Sequence, residues 1–198
     1  MVDRLVYNRL MAPQKPALTH TSSARDRILR TAHDLFYRDG IRATGIDRVI
    51  AESSVAKLTF YRHFPSKNDL IRAYLEYRHG EWTAWFVGAL ARYGGNPGAI
   101  VPAVAEWLRS PTYRGCAFLN SVGELAGVLP DVCEITRSHK EAMAAAIAEV
   151  LPPSHQRAKV ARAVSLAIDG AAVRAQFDVT PDAALDALKR IVKSLVDT

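Results

Sequence analysis

Chemistry-bearing motifs are scarce in this 198-residue chain. It has only two cysteines, Cys116 and Cys133, at a separation that fits no metal or redox spacing. In an intracellular setting thiols stay reduced, so both read as structural thiols rather than a disulfide or a sensor. The sequence holds no His-Glu-x-x-His, no Gly-x-Ser-x-Gly, no phosphate loop and no dinucleotide fingerprint. Its six histidines are scattered without a compelling metal spacing. Catalytic residues, a metal and a cofactor are therefore not expected; Glu124 and His139 would form an acid/base pair only by tertiary accident. No apolar run reaches the roughly 18 residues that a membrane helix needs. Residues 1–18 interleave charged and apolar residues and lack the continuous apolar stretch of a secretory signal. No membrane partner is expected, and the cytoplasm is the expected compartment. A strand pattern of useful length is also missing.

What is present is helical periodicity and an uneven charge. Hydrophobic residues make up 49% of the chain, enough for a packed core. The net charge is +6, and residues 1–80 hold 14 Lys and Arg against 8 Asp and Glu, whereas residues 81–198 hold 12 of each. The whole excess thus lies in the amino-terminal part, where it creates a field that attracts phosphate and releases condensed counterions. A basic surface with no partner is the plainer alternative.

Residues 1–22 carry Pro13, Pro16 and a polar stretch and read as a flexible arm, either a minor-groove probe or a leader. The pattern then predicts a helix over 24–39, capped by Ser23 with Asp26 three residues on, and stopped by Gly40. A short helix over 46–53 follows, with Thr44 and Asp47 as its capping pair and Ile46, Val49 and Ile50 facing inward. Ser53-Ser54-Val55 is a turn. A third helix over 56–64 places Phe60 and Phe64 on one face, to pack on the first helix, and leaves Lys57, Thr59, Tyr61, Arg62 and His63 around the rest. Pro65 ends it, Ser66 with Asp69 caps a fourth helix running to Trp85 or beyond, and Gly94-Gly95-Asn96-Pro97 breaks the chain. Helical segments follow over 99–109, 116–129, 130–151 and 154–176, with a last one from about Pro181. The fold expected is all-α with about nine helices and no internal repeat. Two short helices joined by a tight turn, followed by a connecting helix, make a device for reading duplex DNA.

The string Thr59-Phe60-Tyr61-Arg62-His63-Phe64-Pro65-Ser66-Lys67-Asn68-Asp69-Leu70, with Gly40 and the Thr44-Gly45-Ile46-Asp47 start, resembles the TetR family of transcriptional repressors. The resemblance is specific over about residues 23–77. Beyond it, the helical core is similar in length and helix number, and Arg114–Asn120 looks like a segment found in some members. It implies three parts: the arm over 1–22, a three-helix helix-turn-helix domain over 23–66, and a larger helical ligand-binding and dimerisation domain over 67–198. It implies a homodimer on a palindromic operator in double-stranded DNA, acting as a repressor released by a small-molecule effector. Backbone contacts would map to Thr44, Tyr61, His63 and Lys67. Base reading would map to Lys57, Leu58 and Thr59, with Arg42 near the groove. Two residues depart from the family pattern: Ser54 stands where glycine is usual in the turn, and Leu58 where a small residue is frequent.

These residue types suit the work. The starts of the second and fourth helices present free N–H groups and positive dipole ends to phosphate. Such contacts position the protein without specifying sequence. Tyr61 is either a phosphate donor or an aromatic packed on the fourth helix. His63 is either a contact or a local packing group, and Thr44 can cap and contact at once. For dimerisation, Val160, Val164 and Ile168 with the small residues Gly170, Ala171, Ala172 and Ala175, and the stripe from Leu185 to Leu195, form either a four-helix interface or the closure of the monomer core. Trp82, Trp85, Phe86, Trp107, Phe118 and Phe177, with Asn120, Glu124, His139 and Arg174, line an effector pocket or are plain core and surface. The ligand expected is uncharged or weakly polar. The competing readings are a ligand-independent or non-specific DNA-binding protein, a helical adaptor and, from another class, an enzyme.

Overall fold

The computed structural model describes residues 23–196. The arm expected over residues 1–22 lies outside the described residues. Nine α-helices and one 3-10 turn account for the regular structure, and no strand occurs among the described residues. They are α1 (Ala24–Asp39), α2 (Ile46–Ser53), α3 (Lys57–His63), α4 (Lys67–Arg92), α5 (Ile100–Leu108), α6 (Ala117–Leu125), α7 (Asp131–Val150), α8 (Arg157–Arg174) and α9 (Asp182–Val196), with the 3-10 turn Pro97–Ala99 before α5.

Helices α1 to α3 form a small head. Ser23 caps α1: the Asp26 N–H donates to its hydroxyl at 3.1 Å, while that hydroxyl donates to the Asp26 carboxylate at 2.8 Å. Ile28, Leu29, Ala32, Leu35 and Phe36 bury one face of α1. Phe60 and Phe64 of α3 are buried four residues apart, as the helical period requires, and α3 packs on α1. Gly40 ends α1 at φ 90°, ψ 151°, a conformation that side chains disfavour, and its N–H closes on the Phe36 carbonyl. Ser54 adopts φ 53°, ψ 47° in the turn between α2 and α3, so a serine takes the left-handed conformation that glycine adopts without strain.

One expected cap is corrected. Helix α2 begins at Ile46 and its N-cap is Gly45, with no side-chain cap. Thr44 stands one residue too early: it is buried, and its hydroxyl donates to the Gly40 carbonyl at 2.8 Å. It closes the α1–α2 loop instead of capping the helix.

Helix α4 runs 26 residues, about 39 Å at the α-helical rise, without a break at Gly80 or Gly88. Ser66 caps its start. Its first half buries Leu70, Ile71 and Tyr74 against the head, and its second half buries Trp82, Phe86, Ala89 and Leu90 in the larger core. In that core α7 packs on α4, α6 and α8, and α9 packs on α8 and α5. The α6 segment is shorter than its expected span, because residues 126–128 leave the helix as turns before α7. Cys116 is buried and Cys133 half-buried, and both are free thiols.

Candidate nucleic-acid interface and core cluster

Helix α3 divides its side chains cleanly. Phe60 is fully buried, while Lys57, Leu58, Tyr61 and Arg62 stand exposed, Leu58 at 74%. Thr59 and His63 are half-buried at the edges of that face. The Tyr61 ring rests edge-on against Phe60 at 5.3 Å, which fixes its direction and leaves the ring 40% exposed. Leu58 is the apolar side chain of that exposed face and suits contact with a thymine methyl.

The cations of the head are not equivalent. Arg48 is engaged by Asp39 and Glu52, at 2.9 and 2.8 Å. Lys57 reaches Asp47 only loosely, at 3.5 Å. Arg42 and Arg62 are exposed and form no ion pair with the described residues. Arg62 joins the contact face although sequence spacing alone did not separate it from its neighbours; its place in the Tyr61-Arg62-His63 run was the available signal. Lys67 is less free than expected. Its ammonium donates to the Ile41 carbonyl at 2.6 Å, and burial lowers its pKa, opposed by the charge of Glu124. Thr44 leaves only loop backbone to offer, since its side chain is turned inward.

Of the ten residues expected at an effector pocket, five come together. Trp82 stacks on Phe86 with ring centres 4.8 Å apart and meets Trp107 edge-on at 5.5 Å. His139 lies 3.6 Å from the Phe118 ring, nearly parallel, and 5.0 Å from Trp82. It is 2% exposed, and its Nδ1 stands 3.1 Å from the Nδ1 of His79 on α4, so one of the two carries the shared hydrogen. Burial, then the positive charge of Lys140, His79 and Arg78, lowers the His139 pKa to about 2. The indole N–H groups of Trp82 and Trp107 and the Thr83 hydroxyl are buried without a hydrogen-bond partner. Trp85 flanks the cluster and donates to Glu106 at 3.3 Å.

The other four lie elsewhere. Arg174 is exposed, pairs with Asp178 and covers the ring of Phe177, itself 65% exposed. Asn120 donates to the Arg114 carbonyl. Glu124 accepts the Arg42 N–H at 2.8 Å and stands beside Gly40. Four residues apart on α6, Asn120 and Glu124 border a cleft shared with Tyr37, Arg38 and Gly40 of the head, a placement that helical period alone does not distinguish from the core face.

Of the two readings of the α8 and α9 stripes, closure of the monomer core holds for most of their residues, while Gly170 and Ile191 are exposed. Val164, Ile168, Ala171 and Ala172 of α8 and Leu185, Leu188 and Val192 of α9 are buried within this single chain. A different face of the same two helices is open. It carries Leu166, Gly170 and Val173 on α8 with Phe177 just beyond, and Ala183, Ala187 and Ile191 on α9.

A head of three helices, joined by one long helix to an all-helical core, is found in known proteins. The profile described as bacterial regulatory proteins, tetR family, matches residues 28–74. A TetR-family transcriptional regulator from Streptomyces coelicolor is 31% identical, with 90% of each chain covered and a TM-score of 0.78. E. coli NemR in its reduced form, 20% identical over 85% of this chain and 97% of its own with a TM-score of 0.73, shares the fold. An HTH-type transcriptional regulator from Lactococcus lactis is 25% identical over 55% of this chain. The chain spans 58% of that relative's length and 19% of that of a second relative, YerO of Bacillus subtilis. No helix among the described residues is long and apolar enough to cross a membrane. With identity above 30% across nine-tenths of both chains, and the matched profile lying on the head, this chain belongs to the TetR family of DNA-binding transcriptional regulators.

Proposed function

We propose that this chain is a homodimeric repressor that holds a palindromic operator and releases it when a small organic effector enters the core. One observation carries the DNA reading: α3 buries Phe60 while presenting Lys57, Leu58, Tyr61 and Arg62 to solvent on a cationic head. Residues 23–66 act as the DNA-binding domain, and 67–198 as the effector and dimerisation domain. Lys57, Leu58 and Thr59 read base edges, and the Lys57 and Arg62 cations also neutralise phosphate. Tyr61, His63, Arg42 and Lys67 hold the backbone, with Lys67 giving up its Ile41 contact or serving through the α4 N-terminus. The compartment is the cytoplasm.

Two copies are needed because one recognition helix spans too few base pairs. The open apolar faces of α8 and α9 supply a self-complementary two-helix surface, with Gly170 and the exposed alanines permitting close approach. In the core, the effector replaces ring-on-ring packing around Trp82, Phe86, Trp107, Phe118 and His139. The buried indole N–H groups of Trp82 and Trp107 there lack partners and can only donate. They favour a neutral molecule bearing acceptor atoms, since an unmet buried donor costs about 1–3 kcal/mol. Helix α4 carries Trp82 and Phe86 at one end and the head at the other, so repacking the cluster shifts the spacing of the two α3 helices.

Selection from randomised duplexes with the full chain tests this reading. An enriched inverted repeat is expected, its half-sites centred about 34 Å or a multiple apart. Recovery of duplexes without any shared motif would overturn it in favour of non-specific binding.

A further inference from the structure

A cavity lies where the head meets the core, bordered on one side by Trp107 of the tryptophan cluster. It has a volume of about 270 Å³ and is walled by α1, α4 and the segment joining α5 to α6. That is near the lower end of the roughly 300–1,000 Å³ of small-molecule sites, which suits a single-ring compound. Its walls are largely aromatic, and its charged groups are mostly cationic. Tyr37, Trp107 and Tyr113 supply ring surface, and Arg38, Arg78 and Arg114 supply three guanidinium groups against one carboxylate, Asp34.

The three arginines differ in what already satisfies them. Arg38 is held by Asp39 through two contacts, at 2.8 and 2.9 Å. Arg114 donates to the Tyr113 carbonyl, a neutral acceptor. Arg78 is half-buried, lies 4.4 Å over the Tyr37 ring and donates to Nε2 of His33 at 3.3 Å. Because His33 Nε2 accepts from Arg78, its proton sits on Nδ1, which donates to Asp34 at 3.0 Å. His33 thus stands between the two charged groups. Asp34 reaches Arg78 only through it, and no described carboxylate pairs directly with the Arg78 guanidinium. A partly desolvated guanidinium with a cation–π neighbour and no anion is a ready partner for a carboxylate, which it can grip through two parallel hydrogen bonds.

We propose that this junction cavity is a binding site for a small planar organic carboxylate, its acid group on Arg78 and its flat body between the aromatic walls. The site shares Trp107 with the core effector reading, but it rests on Arg78 and does not depend on that reading. Its floor is coupled to the head, since the Tyr37 hydroxyl donates to the Gly115 carbonyl at 3.0 Å and accepts the Arg114 N–H at 3.1 Å.

Calorimetric titration of the full chain with benzoate tests the proposal, with benzamide as its neutral isostere. Saturable one-site binding of benzoate is expected, with benzamide at least about tenfold weaker because the charge-assisted contact is lost. Arg78→Met removes the charge at similar length and weakens benzoate by a similar factor, while Arg78→Lys keeps part of the affinity. Thr112→Phe at the exposed rim fills the cavity without touching Arg78 and also weakens binding; it guards against a folding defect in the Arg78 variants, with circular dichroism as the check on each. No saturable binding at millimolar benzoate, equal affinity for benzamide, or unchanged affinity in both Arg78→Met and Thr112→Phe would overturn the assignment.

Discussion

Helix α3 and the tryptophan cluster use similar side chains for opposite purposes. In α3 the aromatic ring of Phe60 is the anchor and the polar residues beside it face outward. In the cluster the rings of Trp82, Phe86, Trp107 and Phe118 are the surface of interest, and the polar groups of His139 and the two indoles are turned into them. Under the proposed function the contrast follows from the partner. Duplex DNA offers a fixed groove and a regular row of phosphates, so a single short helix with one wet face can address it. A small molecule must be surrounded, and that takes residues from α4, α5, α6 and α7 that only the tertiary fold brings together.

The same contrast predicts where substitutions act. The largest effect is expected at the anchor: Phe60→Ala should cost about 3–5 kcal/mol in the head, through lost burial and the cavity left behind. Chemical denaturation followed by far-ultraviolet dichroism should show an early loss confined to a minor part of the helical signal; a single unshifted transition would mean that head and core do not differ as described.

The core answers to pH instead. His139 has an ordinary value of 6.5 and is lowered to about 2 by burial. Below 6.5 the unfolded chain takes up a proton that the native core refuses. The stability this neutral histidine permits is therefore complete above that pH and declines as the pH falls toward 2. This single group contributes a slope of up to about 1.4 kcal/mol per pH unit. In His139→Phe the acid limb of a denaturation-against-pH curve should flatten; an unchanged limb would show that the pair with His79 tolerates a charge.

The joint between the two regions gives a smaller effect. Glu124→Ala removes the acceptor of the Arg42 N–H and the negative charge near Lys67, at a cost of about 1–2 kcal/mol. Exchange of the Arg42 amide hydrogen should quicken by about tenfold, and equal rates would remove Glu124 from the joint.

How much of this the sequence disclosed depends on how local each feature is. The bounds of α1 and α2, the Ser23 and Ser66 caps and the burial of Phe60 with Phe64 all follow from neighbours within four residues, whereas the positive φ at Ser54 does not. Thr44 lies one position before the cap, because Thr-Gly-Ile-Asp leaves two candidates and only the loop geometry chooses Gly45. On α8 and α9 the periodicity marks an apolar face, and that face closes the monomer; Leu166, Val173 and Phe177 form a second, sparser stripe whose exposure appears only in three dimensions. Glu124 and Asn120 show the same limit, since nothing near them in sequence indicates that residues 37–42 will lie alongside.

The central claim is that the exposed cations of α3 meet phosphate and base edges, and the dependence of operator affinity on salt tests it most directly. For the wild-type chain log K should fall linearly with log salt, and Arg62→Ala or Lys57→Ala should each reduce the slope by about one for every protomer on the duplex. Slopes identical to wild type in both variants would contradict the claim that this helix is the one that holds DNA.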